Sequence, residues 1–165
     1  MDKQTKILVA YYSKTGHTER VAKDMALAMG ADLEKIIDKR RRHGFWGYLL
    51  GGRDGMKKRQ TEIETLLKNP ADYDLIIIGT PVWGWNMVPA IRTYVTTIRS
   101  DLKNYAWFVT SGNTAVEKII KYVQEVINQE ALAYVGFNHE ELKDNNVYKK
   151  KIDGFVESLA VKRYN

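Results

Sequence analysis

Two nearly unbroken apolar runs, Ile7 to Tyr12 (ILVAYY) and Leu75 to Gly79 (LIIIG), constrain this chain more than any other feature. A strand with one wet face alternates apolar and polar residues, whereas an uninterrupted run needs cover on both faces, as in the centre of a parallel sheet. After each run the period changes. Val21, Met25, Ala28 and Met29 keep helical spacing after the first, and Ile91, Tyr94, Val95 and Ile98 do so after the second, where Pro89 stands in a first turn that tolerates it. Asp32 to Asp38, Ala106 to Thr110 and Leu132 to Phe137 are weaker strand candidates. Two further apolar stripes, one through Val116, Ile119, Ile120, Val123 and Ile127 and one through Val147, Ile152, Phe155, Val156 and Leu159, predict the remaining helices. Strands alternating with helices give an α/β fold built on a five-stranded parallel sheet.

A chain of 165 residues buries roughly 70% of its unfolded surface, enough for one core without covalent staples. A single domain spanning residues 1–165 is therefore expected. The sequence contains no cysteine, which excludes thiolate metal sites, iron–sulfur clusters, cysteine nucleophiles and thiol switches. Any redox chemistry must then come from a bound cofactor. His17, His43 and His139 are dispersed along the chain without metal-ligand spacing, so no metal site is expected. No apolar run approaches the ~18 residues of a bilayer span. The start, Met1 to Lys6, is polar and lacks a signal segment, which makes a cytoplasmic protein the expectation.

The net charge of +6 is concentrated. Between Lys39 and Arg59 eight bases face the single acid Asp54, a local +7 that leaves the rest of the chain at −1. The same segment, residues 39–60, holds five glycines with Phe45, Trp46 and Tyr48. It reads as an elaborated basic and aromatic connection leading into a helix over Thr61 to Lys68. Arginines beside aromatics are common at protein interfaces, while nucleic-acid binding is the weaker reading of this patch.

Ligands of open parallel sheets bind beyond the carboxyl ends of the strands, and three turns qualify here. The first, Ser13-Lys14-Thr15-Gly16-His17-Thr18, runs straight into a helix, where free N–H groups and the helix dipole favour an anion. Two readings fit: a phosphate site, or a hydroxyl that simply caps the helix. The second, Gly79 to Met87, carries Trp83 and Trp85, which offer stacking faces to a planar heterocycle or pack against the protein itself. The third, Thr110-Ser111-Gly112-Asn113-Thr114, is a small polar loop that can bond ring heteroatoms or begin a helix. Neither a Walker A loop nor a G-x-G-x-x-G fingerprint is present, which disfavours nucleoside triphosphates and dinucleotides.

The segment LVAYYSKTGHTERVA resembles the phosphate loop of flavodoxins, [ST]-x-T-G-x-T after the first strand, and YDLIIIGTPVWGWNMVPAIRTYV resembles their third strand and flavin loop. The resemblance implies a flavodoxin-like three-layer sandwich, strand order 2-1-3-4-5, holding FMN noncovalently. It assigns Ser13, Thr15, Gly16 and Thr18 to the phosphate, with Lys14 and His17 in the variable places. Thr80, Pro81, Val82, Trp83, Gly84 and Trp85 lie against the flavin, with Gly84 able to turn its peptide toward the ring, and Thr110, Ser111, Gly112 and Asn113 form the second flavin loop. Only nine residues separate Phe137 from Val147, so the chain is similar to the short-chain type.

The function implied by the resemblance is that of an electron carrier between redox partner proteins, with no catalytic residue of its own, as a monomer or weak homodimer. A partner with an acidic face would dock on residues 39–59. The alternative is an FMN-dependent NAD(P)H:quinone reductase, which shares the phosphate loop and a similar G-T-P…N-M…P pattern, here Gly79, Thr80, Pro81, Asn86, Met87 and Pro89. The third turn also lacks the tyrosine that many flavodoxins stack on the outer flavin face, so that face would be covered by other aromatics or left open to substrate.

Overall fold

A computed structural model describes residues 5–40, 60–112 and 116–163. Most of the basic connection at 39–60 and Asn113 lie outside the described residues. In chain order the elements are β1 (Ile7–Tyr11), α1 (His17–Met29), β2 (Asp32–Lys35), a 3₁₀ turn (Pro70–Asp72), β3 (Leu75–Trp83), β4 (Asn86–Met87), α2 (Pro89–Ile98), β5 (Tyr105–Ser111), α3 (Val116–Ile127), β6 (Tyr134–Asn138), α4 (His139–Lys143) and α5 (Asn145–Arg163).

The main sheet runs β2-β1-β3-β5-β6, with every pairing along it parallel. Counted as parallel strands alone, this is the 2-1-3-4-5 order expected from the sequence. The short β4 adds one antiparallel pairing, to the end of β3.

Because side chains alternate across a strand, β1 feeds two cores. Ile7, Val9 and Tyr11 enter a cluster with Val21 and Met25 of α1 and with Ile152, Phe155 and Leu159 of α5. Leu8, Ala10 and Tyr12 enter the opposite one with Ile91, Tyr94, Val95 and Ile98 of α2 and Val123 of α3. Each such side chain, fully buried, contributes about 1.5–3 kcal/mol. The double cover explains why β1 and the first half of β3 carry no polar interruption.

Four sequence expectations need correction. Residues Thr61 to Lys68 form no helix. Lys39 N–H donates to the Glu62 carbonyl and Glu64 N–H to that of Ile37, both at 2.9 Å. Thr61 N–H donates to Thr93 Oγ1 at 3.0 Å and Leu67 N–H to the buried Glu34 carboxylate at 2.8 Å. Backbone groups that a helix would use are thus spent on tertiary partners, and an antiparallel bridge joins Asp38 to Ile63. The third strand does not stop at Gly79 but continues to Trp83, because β5 keeps pairing with it through Pro81. On α1 the buried face is Thr18, Val21, Ala22, Met25 and Ala26, leaving Ala28 exposed. On α5 Ile152, Phe155 and Leu159 are buried as expected, but at the start of the face Val147 is exposed and Tyr148 is buried instead, its hydroxyl donating to Asp24 at 2.6 Å.

Gly79 is required by packing. It pairs between Tyr11 and Phe108, and a Cβ built on it would overlap the Phe108 ring, which is itself wholly buried. Gly79→Ala is expected to destabilise the fold by about 2–3 kcal/mol through overpacking, lowering Tm by roughly 5–10 °C. Adding Phe108→Leu should recover part of the loss in thermal melts, whereas a melt unchanged by Gly79→Ala would contradict this packing.

Candidate functional site

The loop after β1 turns on two local features. Gly16 adopts a left-handed conformation, φ +92°, and donates its N–H to Ser13 Oγ at 3.1 Å. As the N-cap of α1, Gly16 has no side chain to cap the helix, so the helix begins without a side-chain acceptor for its first-turn N–H groups. That arrangement suits an external anion. Glu19 in the first turn does not oppose it outright: hydrogen bonds from Lys23 and Lys35, each at 2.8 Å, hold its carboxyl down at about 2 and pair its charge. Lys14, Thr15, Gly16 and His17 are exposed and Ser13 is half-buried. Of the two readings open in the sequence, side-chain capping of α1 is absent.

Thr18 behaves differently from its neighbours. It is buried, and its hydroxyl shares a 2.8 Å hydrogen bond with that of Thr110 at the end of β5. This bond ties the first loop to the third, with Ser111 half-buried and Gly112 exposed just beyond.

The second loop is a β-hairpin. Trp83 pairs with Asn86, and between them Gly84 and Trp85 both have positive φ, +53° and +63°. Two such residues make the turn type whose twist matches paired strands. Glycine accepts this conformation readily; tryptophan does so only with strain. Thr80 is fully buried, its hydroxyl donating to the Pro81 carbonyl at 2.9 Å and accepting from Val88 N–H at 3.4 Å, so it braces the hairpin. Pro81 and Val82 are half-buried along the strand.

The two tryptophans part company. Trp83 packs on the core, with Tyr12 edge-on at 5.6 Å and the Lys14 ammonium 5.7 Å from its ring centre. Trp85 stands at the tip, 66% exposed. The fold therefore gathers the three loops at the carboxyl end of the sheet, Lys14 with Trp83 and Thr18 with Thr110.

Sequence reasoning missed several neighbours. His139, at the start of α4, places its ring edge-on to His17 at 5.8 Å, although the two are far apart in sequence. The signal for α4 was legible as Asn138-x-x-Glu141, which forms a capping box. Tyr12 and Arg92 also border the hairpin, and nothing in their spacing marked them; Asn86, which the sequence placed only in the G-T-P…N-M…P pattern, is part of the hairpin and bonds Arg92. Among the described residues no cluster of metal-binding side chains occurs, and no helix is long and apolar enough to cross a membrane.

Both the buried hydroxyl pair and the hairpin tip can be tested by substitution. Thr18→Val should cost about 1–2 kcal/mol by leaving the buried Thr110 hydroxyl unpaired, and Thr18→Val with Thr110→Val should restore most of that in urea denaturation. Trp85→Gly should stabilise the ligand-free chain by roughly 0.5–1 kcal/mol through relief of the left-handed tryptophan; a loss of stability would show that the indole's own contacts outweigh the strain.

Comparison with known proteins supports the arrangement. A 92-residue stretch is 35% identical to an NAD(P)H dehydrogenase (quinone) of Paracoccus denitrificans, covering 55% of this chain and 43% of the relative. The chain thus spans less than half the length of that relative. A Lactobacillus acidophilus flavoprotein solved in complex with FMN superposes with a TM-score of 0.71 at 20% identity, over 84% of this chain and 97% of the other. The apo form of a flavoprotein from the same organism gives 0.62 at 21% identity, over 86% and 97%. A flavodoxin from the domain Archaea gives 0.53 at 12% identity, over 93% and 98%. At these identities the structures speak for the fold. The family model described as Flavodoxin matches residues 53–159, well over half of the chain, and with the strand order and loop placement above it shows that this protein belongs to the flavodoxin family.

Proposed function

We propose that this chain binds FMN noncovalently at the carboxyl end of its sheet and carries electrons between redox partner proteins. The observation that supports this most is the uncapped N-terminus of α1. It stands in the same group of loops as the Trp83–Asn86 hairpin, to which Lys14 and the Thr18–Thr110 bond connect it. An anion at Ser13 to Thr18 and a planar ring beside Trp83 or Trp85 together describe a phosphorylated flavin.

In this reading Ser13, Thr15, the N–H groups of His17 and Thr18, and the Lys14 ammonium hold the phosphate, while Gly16, its own N–H given to Ser13 Oγ, turns the loop around it. Pro81 to Trp85 and Thr110 to Asn113 hold the ring. FMN supplies the redox chemistry, and the protein supplies binding, orientation and the local field. Docking of an acidic partner face on the bases of residues 39–59 supplies the encounter, as complementary charge speeds association. A single cytoplasmic domain, monomeric or weakly dimeric, completes the proposal.

The second reading is an FMN-dependent NAD(P)H:quinone reductase. It is favoured by the Paracoccus relative and by Asn86 and Met87, both buried on the second strand of the hairpin, in the pattern that such enzymes are expected to share. Hydride transfer to a flavin needs no separate acid or base, so the lack of one does not separate the two readings.

Purified protein mixed with FMN should acquire the visible absorption of a bound flavin. It should bind FMN about a hundredfold more tightly than riboflavin, about 2.7 kcal/mol for the phosphate. Ser13→Ala and Thr15→Ala should each weaken FMN about tenfold and leave riboflavin unchanged. A protein that stays colourless with FMN present would end both readings. Rapid NAD(P)H oxidation by the isolated holoprotein, accelerated by a quinone, would select the second.

A further inference from the structure

Arg92, in the second turn of α2, is 5% exposed, and its surroundings are unusual for a buried cation. Buried guanidinium groups ordinarily face a carboxylate, because a desolvated charge without an opposite one is unfavourable. Among the described residues no Asp or Glu forms an ion pair with Arg92. Nη2 donates at 2.9 Å to Oδ1 of Asn86, a neutral acceptor that is itself 4% exposed. Nε is buried with no partner. Burial lowers the guanidinium's affinity for its proton, but its ordinary value is so high that it stays charged at neutral pH. The fold thus keeps a positive charge that no described carboxylate pairs in a water-poor setting, where fields reach further than at the surface.

The position of that charge matters. Asn86 is the residue of β4 that pairs with Trp83, and its Oδ1 also accepts the N–H of Met87 at 2.9 Å. One oxygen therefore joins the cation to the backbone of the hairpin that carries Trp83, Gly84 and Trp85. Resting on the FMN reading above, we propose that Arg92, held by Asn86, is the electrostatic element that sets the reduction potential at this site by stabilising the negative charge of the reduced ring.

The charge balance is simple. A hydride from NAD(P)H, or two electrons from a donor protein together with one proton from water, leaves one negative charge on a ring that was neutral. Arg92 favours that product without giving up a proton or forming a bond. It is a positioning and tuning residue, not a catalytic one, and no acidic side chain among the described residues cancels its charge by an ion pair. This source of positive field is independent of the basic segment at 39–59.

The test uses FMN-reconstituted protein and midpoint potentials measured against a reference dye during dithionite reduction. Arg92→Met removes the charge. Arg92→Gln also removes the charge but keeps an N–H donor for Asn86 Oδ1, so a purely structural role for the pair would leave its potential unmoved. Both variants are expected to lower the reduced-to-oxidised ratio at fixed potential at least about tenfold, a shift of about 30 mV to more negative values for a two-electron couple. Arg92→Lys, which keeps the charge, should stay within about threefold of the wild type. Should Arg92→Met fail to fold, Arg92→Gln decides the matter. FMN-loaded Arg92→Gln protein with the wild-type potential, or Arg92→Lys shifted as far as Arg92→Gln, would overturn this inference alone. A wild-type protein that takes up no FMN would overturn the FMN reading and this inference with it.

Discussion

Pairing of β3 on both sides, with β1 along Ile7 to Tyr11 and with β5 from Tyr105 to Thr110, is the constraint on which the molecule rests. A strand so enclosed has its backbone hydrogen bonds satisfied within the sheet and both faces free to bury apolar side chains. Ile76 and Ile78 point into one core and Leu75 and Ile77 into the other. Gly79 then leaves the room that Phe108 fills, which allows the two neighbours of β3 to stay in register up to the edge of the sheet. Past that edge β3 continues alone with its own hairpin, and the loops converge there.

The convergence is held by polar contacts that have little water around them. Thr18 meets Thr110 across the carboxyl end of the sheet, Thr80 braces the hairpin from beneath, and Asn86 links the hairpin to Arg92. Buried hydrogen bonds of this kind add modest net stability but are unfavourable to break, so they specify geometry more than they strengthen the fold. Rigidity at the base contrasts with exposure at the rim, where Lys14, Thr15, Gly16 and Trp85 face solvent. An anion meeting the free first-turn groups of α1 would thus encounter donors already in place.

Much of this was legible in the order of residues. The apolar runs announced the central strands, the stripe through Ile91, Tyr94, Val95 and Ile98 announced a helix that is buried at each of those positions, and Ser13 to Thr18 announced a turn that runs straight into a helix. Where the reading failed, a long-range partner had displaced a local preference. Thr61 to Lys68 has no glycine or proline to break a helix, yet Thr93 and Glu34 take its N–H groups. The second turn was expected to begin at Gly79, but β5 keeps the strand going through Pro81. Gly84 and Trp85 form a hairpin turn without the Asn-Gly or Asp-Gly sequence that usually signals one.

By itself the sequence determined the class of fold and where the three turns follow their strands, because period, run length and turn composition act over a few neighbouring residues; the strand order came from its resemblance to a family. Tertiary structure alone decided that Trp83 is packed while Trp85 is exposed, that Thr18 turns inward to Thr110, that His17 meets His139, and that Arg92 lies buried against Asn86 with no ion-paired carboxylate among the described residues. Those outcomes depend on which side chains the sheet brings within a few ångströms across dozens of residues. No local pattern encodes that proximity, since burial and pairing are properties of the assembled surfaces.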